Sequence, residues 1–272
     1  MRARLSSAWD RNVGPEPGEK ELLKIENLTI RFGGVTALDG ISFTVDAGQI
    51  VGLIGPNGAG KTTVFNCLSR LYNFKQGDVL FRGRSIKGVR RSGVAALGIG
   101  RTFQNLALFP TMSVRNNVLL GGHCWIRSRF LANALRLPQV RHEEAALDER
   151  CQSLLDLLEL RGEADRLVAE LPFGTQKRVE LGRALAVQPS LLLLDEPACG
   201  LNHEEIEDLR ELLEDIHRRF KMAILLVEHH MALVMRLSHK VVTLDFGRKI
   251  ADGPPEVVQR DVGVLCAYLG TD

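Results

Sequence analysis

The sequence predicts an α/β fold built on a parallel sheet, and three short apolar runs carry this prediction. The runs lie at residues 50–54, 191–194 and 223–227, and turn or polar residues bound each of them. Continuous apolar runs of this length are typical of strands that are buried on both faces. Ligands bind at the carboxyl ends of strands in open α/β sheets, so the residues that follow the runs are the candidates for a functional site.

A glycine-rich loop at residues 55–63 follows the first run and matches the phosphate-binding pattern G-x-x-x-x-G-K-[ST]. Its glycines let successive N–H groups point inward, and the helix predicted to begin near Lys61 adds positive partial charge. Lys61 can reach the β- and γ-phosphates, and the Thr62 hydroxyl can ligate Mg²⁺. We therefore expect a nucleoside triphosphate to be held by Gly55, Pro56, Asn57, Gly58, Ala59, Gly60, Lys61, Thr62 and Thr63.

Two alternating stretches before this loop, residues 22–31 and 41–45, predict antiparallel strands. Residues 1–20 show no periodic apolar pattern and are predicted to be a mobile tail. Phe32 lies at a predicted strand end, where its ring could stack on a base; an ordinary core phenylalanine is the alternative.

The middle of the chain is predicted to be mostly helical. Thr111 or Ser113 can cap a helix that begins near Val114, and a long helix-patterned run follows at residues 140–160. We interpret about residues 105–188 as a helical subdomain inserted into the core of a single domain that spans residues 21–270. Gln104, at the end of a short extended piece just before this region, could reach towards a metal ion or a water; a surface glutamine is the alternative.

Two adjacent carboxylates, Asp195 and Glu196, end the run at residues 191–194. Strand alternation predicts that their side chains point in different directions, which suits two roles. Asp195 can hold the Mg²⁺ shell, and Glu196 can act as general base on the attacking water. His229, which follows the third run, could hydrogen-bond the γ-phosphate, although lone histidines are usually structural.

Composition excludes several other functions. The net charge of +2 is too mild to indicate nucleic acid, which we do not expect as a partner. The five cysteines form no CxxC motif and are interpreted as reduced thiols. No apolar run approaches the roughly 18–20 residues that a membrane span needs.

The order of these motifs resembles the ATP-binding subunit of an ABC (ATP-binding cassette) transporter over about residues 22–270. The resemblance implies a P-loop NTPase core with an antiparallel β-subdomain and an inserted α-helical subdomain, and it implies that ATP and Mg²⁺ are bound. It also implies adenine stacking by Phe32, Mg²⁺ contact by Gln104, the Walker B aspartate for Asp195, the catalytic glutamate for Glu196 and the switch histidine for His229.

Residues 171–177 fit the signature motif of that family, which contacts the ATP held by a second subunit. The ligands acting in trans would be Pro172, Phe173, Gly174, Thr175 and Gln176. Pro172 and Phe173 stand where the family has a serine and a glycine, so contact with the γ-phosphate must rest mainly on backbone N–H groups. Asn202 stands where the following D-loop usually has an aspartate.

Several segments look like the ATPases of branched-chain amino acid uptake systems: residues 98–105, the insertion after Asn117, and residues 171–176, 227–231 and 267–270. This resemblance implies an ATP hydrolase that energises an importer of branched-chain or other hydrophobic amino acids. The implied partners are two integral-membrane permeases, a second and different ATPase subunit and, indirectly, a substrate-binding protein. The implied location is peripheral, at the cytoplasmic face of the inner membrane. A soluble or regulatory ABC ATPase and an importer ATPase for urea or amides stay open as alternatives.

Overall fold

In the computed structural model, which describes residues 20–104, 106–125 and 138–269, the strands form two sheets. The strands are β1 (Glu21–Phe32), β2 (Val35–Asp46), β3 (Ile50–Ile54), β4 (Gln76–Phe81), β5 (Arg84–Ser85), β6 (Ile99–Arg101), β7 (Leu191–Asp195), β8 (Ala223–Val227), β9 (Lys240–Asp245) and β10 (Arg248–Gly253). An antiparallel sheet has the order β2-β1-β4-β5, and the second sheet has the order β10-β9-β3-β8-β7-β6. Neighbours from β9 to β6 are parallel, and β10 is antiparallel to β9.

The described helices lie between the strands in the chain, apart from the last two, which follow the final strand. They are α1 (Lys61–Leu68), α2 (Val114–Gly121), α3 (Pro138–Leu157), α4 (Phe173–Ala186), α5 (His203–Phe220), α6 (Met231–Leu237), α7 (Pro255–Val258) and α8 (Val262–Leu269). Short 3-10 turns cover Arg91–Gly93, Ala95–Leu97, Gly122–Trp125, Arg161–Glu163 and Val168–Glu170. Of the two predicted caps of α2, Ser113 is the N-cap, and its side chain accepts a hydrogen bond from the Asn116 N–H. Within the described ranges, no helix is long and apolar enough to cross a membrane.

The central strands β3, β7 and β8 are buried along their whole length, as their apolar runs predict. Successive side chains point to opposite faces of the sheet. Leu192, Leu194, Ile224 and Leu226 pack with the helices on one face, while Leu191, Leu193, Leu225 and Val227 pack with the antiparallel sheet and α1 on the other. Because both faces are covered, polar residues collect at the carboxyl edge of the sheet.

The predicted α/β class with an antiparallel sheet is confirmed, and helices α2, α3 and α4 lie between β6 and β7 in the chain. The helix-patterned run predicted at residues 140–160 was too long at its end, because α3 ends at Leu157. The predicted tail at residues 1–20 lies outside the described residues except for Lys20, as do residues 105, 126–137 and 270–272. The single domain at residues 21–270 and its helical subdomain at about residues 105–188 stay predictions.

Candidate functional site

The glycine-rich loop joins β3 to α1, and its three glycines have backbone conformations that other residues rarely adopt. Gly55 has φ +144°, and a Cβ there would overlap the carbonyl oxygen of Leu244. Gly60, the N-cap of α1, has φ +104°, and a Cβ there would lie 2.8 Å from the carbonyl oxygen of Ala37. The first N–H groups of α1 have no acceptor within the helix. The loop therefore has the strained turn and the free donors of an anion-binding site.

Lys61, the first residue of α1, is buried, and its ammonium lies against the loop. Its Nζ donates to the carbonyl oxygens of Gly55, at 2.6 Å, and Pro56, at 2.9 Å. Burial lowers the pKa of Lys61, while the charges of Glu196 and Asp195 oppose that shift. Thr62 is exposed and Thr63 half-buried at the start of the same helix.

Asp195 is the last residue of β7 and is almost completely buried. Its Oδ2 accepts a hydrogen bond of 2.8 Å from an Arg101 guanidinium nitrogen. Its Oδ1 is buried and has no hydrogen-bond partner among the described residues. Burial raises the pKa of Asp195, and the bond to Arg101 opposes the shift. An unpartnered buried oxygen of this kind is a suitable ligand for a hydrated cation, because carboxylate and water oxygens are what Mg²⁺ prefers.

Glu196 brings together residues that follow three different strands. Its Oε1 accepts a hydrogen bond of 2.8 Å from Nε2 of His229, and its Oε2 accepts one of 2.8 Å from Nε2 of Gln104. Its own N–H donates to the Val227 carbonyl oxygen at 2.9 Å. Three predicted site residues, Gln104, Glu196 and His229, thus meet at the Glu196 carboxylate.

The two adjacent carboxylates do point in different directions, but strand alternation is not the reason. Strand β7 ends at Asp195, and Glu196 has φ +49°, in the left-handed region. A non-glycine residue there costs on the order of 1–3 kcal/mol, and such strain clusters at functional sites. The turn after the strand therefore directs the Glu196 side chain towards Gln104 and His229.

Phe32 and the turn at residues 171–177 make up the rest of the predicted site. Phe32 is the last residue of β1 and is 47% exposed, so it is not a core phenylalanine. Its ring contacts Tyr72 edge-on, with 5.0 Å between centroids. It therefore presents an open aromatic face.

Pro172 is the N-cap of α4 and makes no side-chain capping bond. Gln176 bonds within its own turn, through Nε2 to the Leu171 carbonyl oxygen at 2.8 Å, and Phe173 lies against Gly200. Among the described residues, no hydrogen bond joins this turn to the loop at residues 55–63. The turn is instead linked to the site through Lys177, whose Nζ donates to the Glu196 carbonyl oxygen at 3.4 Å.

Sequence reasoning missed Arg101 and Glu228 as residues that support the site. Glu228 is buried at the end of β8 and accepts hydrogen bonds from the N–H groups of Ala198, at 2.6 Å, and His229, at 2.9 Å. Its position directly after a buried run was a signal that could have identified it. Arg101 is one of the least exposed charged side chains, and nothing in the sequence around it indicates that burial.

A phosphate-binding loop facing two carboxylates at the carboxyl edge of a parallel sheet defines a P-loop nucleotide-binding protein. Residues 38–199 match the protein-family model described as "ABC transporter". The chain belongs to the ABC transporter family, as the order of its motifs predicts, and family members bind nucleotide.

Similar proteins agree with this assignment. The high-affinity branched-chain amino acid transport ATP-binding protein BraF of Pseudomonas aeruginosa is 39% identical over 251 residues, which cover 92% of this chain and 98% of BraF. The corresponding protein LivG of Salmonella typhimurium is 38% identical, with coverage of 92% and 98%. The ADP conformation of MJ1267, an ATP-binding cassette of an ABC transporter, matches with a TM-score of 0.79 and 30% identity over 92% of this chain and 99% of that one. The predicted resemblance is confirmed.

Proposed function

We propose that this chain is the ATP-hydrolysing subunit that energises an ABC importer of branched-chain or other hydrophobic amino acids. The observation that carries the hydrolysis is the Glu196 carboxylate, which is held between His229 and Gln104. The class of solute rests on the names of BraF and LivG, which cover nearly the whole chain.

The loop residues position the triphosphate. The free N–H groups at the start of α1 bind phosphate oxygens, and the Lys61 ammonium exchanges the carbonyls of Gly55 and Pro56 for the β- and γ-phosphates. The exposed Phe32 ring stacks on the adenine. Thr62, Gln104 and the free Oδ1 of Asp195 are the residues that would hold Mg²⁺ or its waters. When bound, Mg²⁺ neutralises charge on the transferring phosphoryl group.

Glu196 orients the attacking water and accepts its proton. His229 and Gln104 each hold one oxygen of this carboxylate, which restricts its rotation. Restricting the base in this way contributes to catalysis because proton transfer requires hydrogen-bond contact with the water.

A second ATPase subunit completes the site. Its loop would face the turn formed by Pro172, Phe173, Gly174, Thr175 and Gln176 of this chain. The backbone N–H groups at the start of α4 would make the contact, since Pro172 has no hydroxyl group. We propose that this second subunit is a different chain, that two membrane permeases and a substrate-binding protein complete the importer, and that the ATPases lie at the cytoplasmic face of the inner membrane.

The test of this proposal is Glu196→Gln, with the exposed Glu256→Gln as matched control. We expect the Glu196 variant to bind MgATP within about 3-fold of the wild type, while phosphate release by the variant together with the second ATPase subunit falls by about 10²–10⁴-fold, the usual contribution of a general base. Near-normal hydrolysis by the Glu196 variant would refute the assignment of the base.

Light scattering of the same variant with MgATP tests the second subunit: a persistent monomer that binds ATP is expected, and an ATP-dependent dimer would mean that one chain completes both sites.

A further inference from the structure

A tyrosine near the end of the described chain reaches the first residue of the phosphate-binding loop. The Gly55 N–H donates a hydrogen bond of 2.7 Å to the hydroxyl oxygen of Tyr268, which lies on α8. The two residues are 213 positions apart in the sequence. Tyr268 is not part of the phosphate-binding loop, and the mechanism above does not use it.

The Tyr268 hydroxyl is the acceptor for the Gly55 N–H at the point where β3 leaves the sheet. The last parallel pair between β3 and β9 joins Ile54 to Thr243, so Gly55 lies just beyond the ladder. Its conformation, with φ +144°, turns the chain away from the strand. Without Tyr268, the N–H at this turn would lose its protein acceptor.

Both polar groups of Gly55 are therefore held by side chains. Tyr268 holds the N–H, and Lys61 holds the carbonyl oxygen through an ammonium contact of 2.6 Å. If Lys61 turns to a phosphate, the carbonyl contact is lost and the Tyr268 bond is the one that remains. Burial raises the pKa of the Tyr268 phenol, which keeps it neutral across the pH range in which the loop would operate.

Helix α8 is fixed well enough to place this hydroxyl. Val264 is buried in the core on the helical face of the parallel sheet, and its N–H is capped by the Asp261 carboxylate at 3.0 Å. Val264 and Tyr268 are four residues apart, so they share one face of the helix. The buried Val264 thus holds the face that presents Tyr268 to the loop.

We propose that Tyr268 is a positioning residue for nucleotide binding, which fixes the entry to the phosphate-binding loop through the Gly55 N–H. This inference rests on the proposed function, because it assumes that the loop binds the phosphates of ATP. Tyr268 touches no substrate atom and acts through the orientation of the loop. Its loss therefore weakens phosphate binding and leaves the chemistry at Glu196 unchanged.

The variant Tyr268→Phe removes only the hydroxyl, and Cys266→Ser, at an exposed position on the same helix, is the matched control. By calorimetry we expect the Kd of MgATP and of MgADP to rise about 3- to 10-fold for Tyr268→Phe, the effect of one lost neutral hydrogen bond. The affinity for adenosine, which lacks phosphates, is expected to stay within 2-fold. In steady-state hydrolysis by this chain together with its second ATPase subunit, KM rises while kcat stays within 2-fold, and Cys266→Ser matches the wild type throughout.

An independent readout uses no nucleotide. Selective labelling of glycine lets NMR follow exchange of the Gly55 amide hydrogen, which should become at least about 3-fold faster in Tyr268→Phe. Unchanged exchange, unchanged Kd of MgATP or an equal loss of adenosine affinity would each overturn the inference. If the wild type itself binds no MgATP, the proposed function fails and the inference fails with it; if the wild type binds and the variant binds equally, only the inference fails.

Discussion

Replacing Arg101 by methionine should destabilise the protein by about 3–5 kcal/mol, the usual cost of removing one partner from a buried ion pair. The Arg101 guanidinium and the Asp195 carboxylate are 2.8 Å apart, and their side chains are 8% and 2% exposed. Methionine fills a similar volume but leaves the Asp195 charge buried without its cation. Oδ1 of Asp195 has no hydrogen-bond partner among the described residues, so loss of the guanidinium also leaves Oδ2 without the bond from Arg101.

Part of that loss comes from helix α1 and can be separated from the ion pair. The same guanidinium donates to the Phe65 carbonyl oxygen at 3.2 Å, to Asn66 Oδ1 at 2.9 Å and to Ser69 Oγ at 2.9 Å. A double-mutant cycle with Asp195→Asn isolates the term that depends on both charges. We expect a coupling energy of about 1–3 kcal/mol, with the remainder of the Arg101→Met loss due to α1.

The assay is urea unfolding of the wild type, the two single variants and the double variant. Arg161→Met is the matched control, because Arg161 pairs with Asp156 at the surface, where its side chain is 72% exposed. It should cost less than about 1 kcal/mol. Additivity of Arg101→Met and Asp195→Asn within about 0.5 kcal/mol would refute the reasoning, since it would mean that the pair contributes nothing beyond its separate contacts.

Two further predictions concern stability. Burial raises the pKa of Glu180 above its ordinary value of 4.5, while hydrogen bonds from the Phe103 and Ala107 N–H groups oppose the shift. The contribution of Glu180 to the stability of the fold therefore falls as pH rises from 4.5 through the raised pKa. In urea unfolding, Glu180→Gln should therefore gain stability relative to the wild type as pH rises above 4.5, until the pH passes the raised pKa; a relative loss as pH rises would contradict the assignment. Asn202→Ala should cost about 1 kcal/mol, because Asn202 forms a capping box with Glu205 at the start of α5, whereas Asn202→Asp should stay within about 0.5 kcal/mol. Equal thermal stability of the alanine variant and the wild type would exclude that role.

The strands at the centre of the fold could be predicted because their burial is visible locally. Strands β3, β7 and β8 each consist of a continuous apolar run, which is typical of a strand that is buried on both faces of a sheet. The phosphate-binding loop was predictable for a related reason. Gly55 and Gly60 have backbone angles that few other residues adopt, so the glycines in the local sequence indicate the turn.

The side chains that support the site could not be predicted, because their partners are distant in the sequence. Arg101 meets Asp195 across 94 positions, and Tyr268 meets Gly55 across 213. The hydrogen-bond partner of each of these side chains depends on how the helices dock on the sheet. The sequence around Arg101 or Tyr268 has no pattern that predicts this docking. Glu196 shows the intermediate case: its direction was predicted, but the left-handed turn that produces it was not.

The geometry of the proposed base depends on both neighbours of β7. Gln104 follows β6 and precedes helices α2 to α4, while His229 follows β8, and each holds a different oxygen of the Glu196 carboxylate. A shift of either segment by more than about 0.5 Å would stretch one 2.8 Å contact beyond good hydrogen-bond distance. Strand β7 is packed on both faces, and the turn at Glu196 directs the side chain, so these two contacts hold the carboxylate in the direction that the turn gives it. The orientation of the Glu196 carboxylate therefore depends on the segments that follow β6 and β8, each through one hydrogen bond.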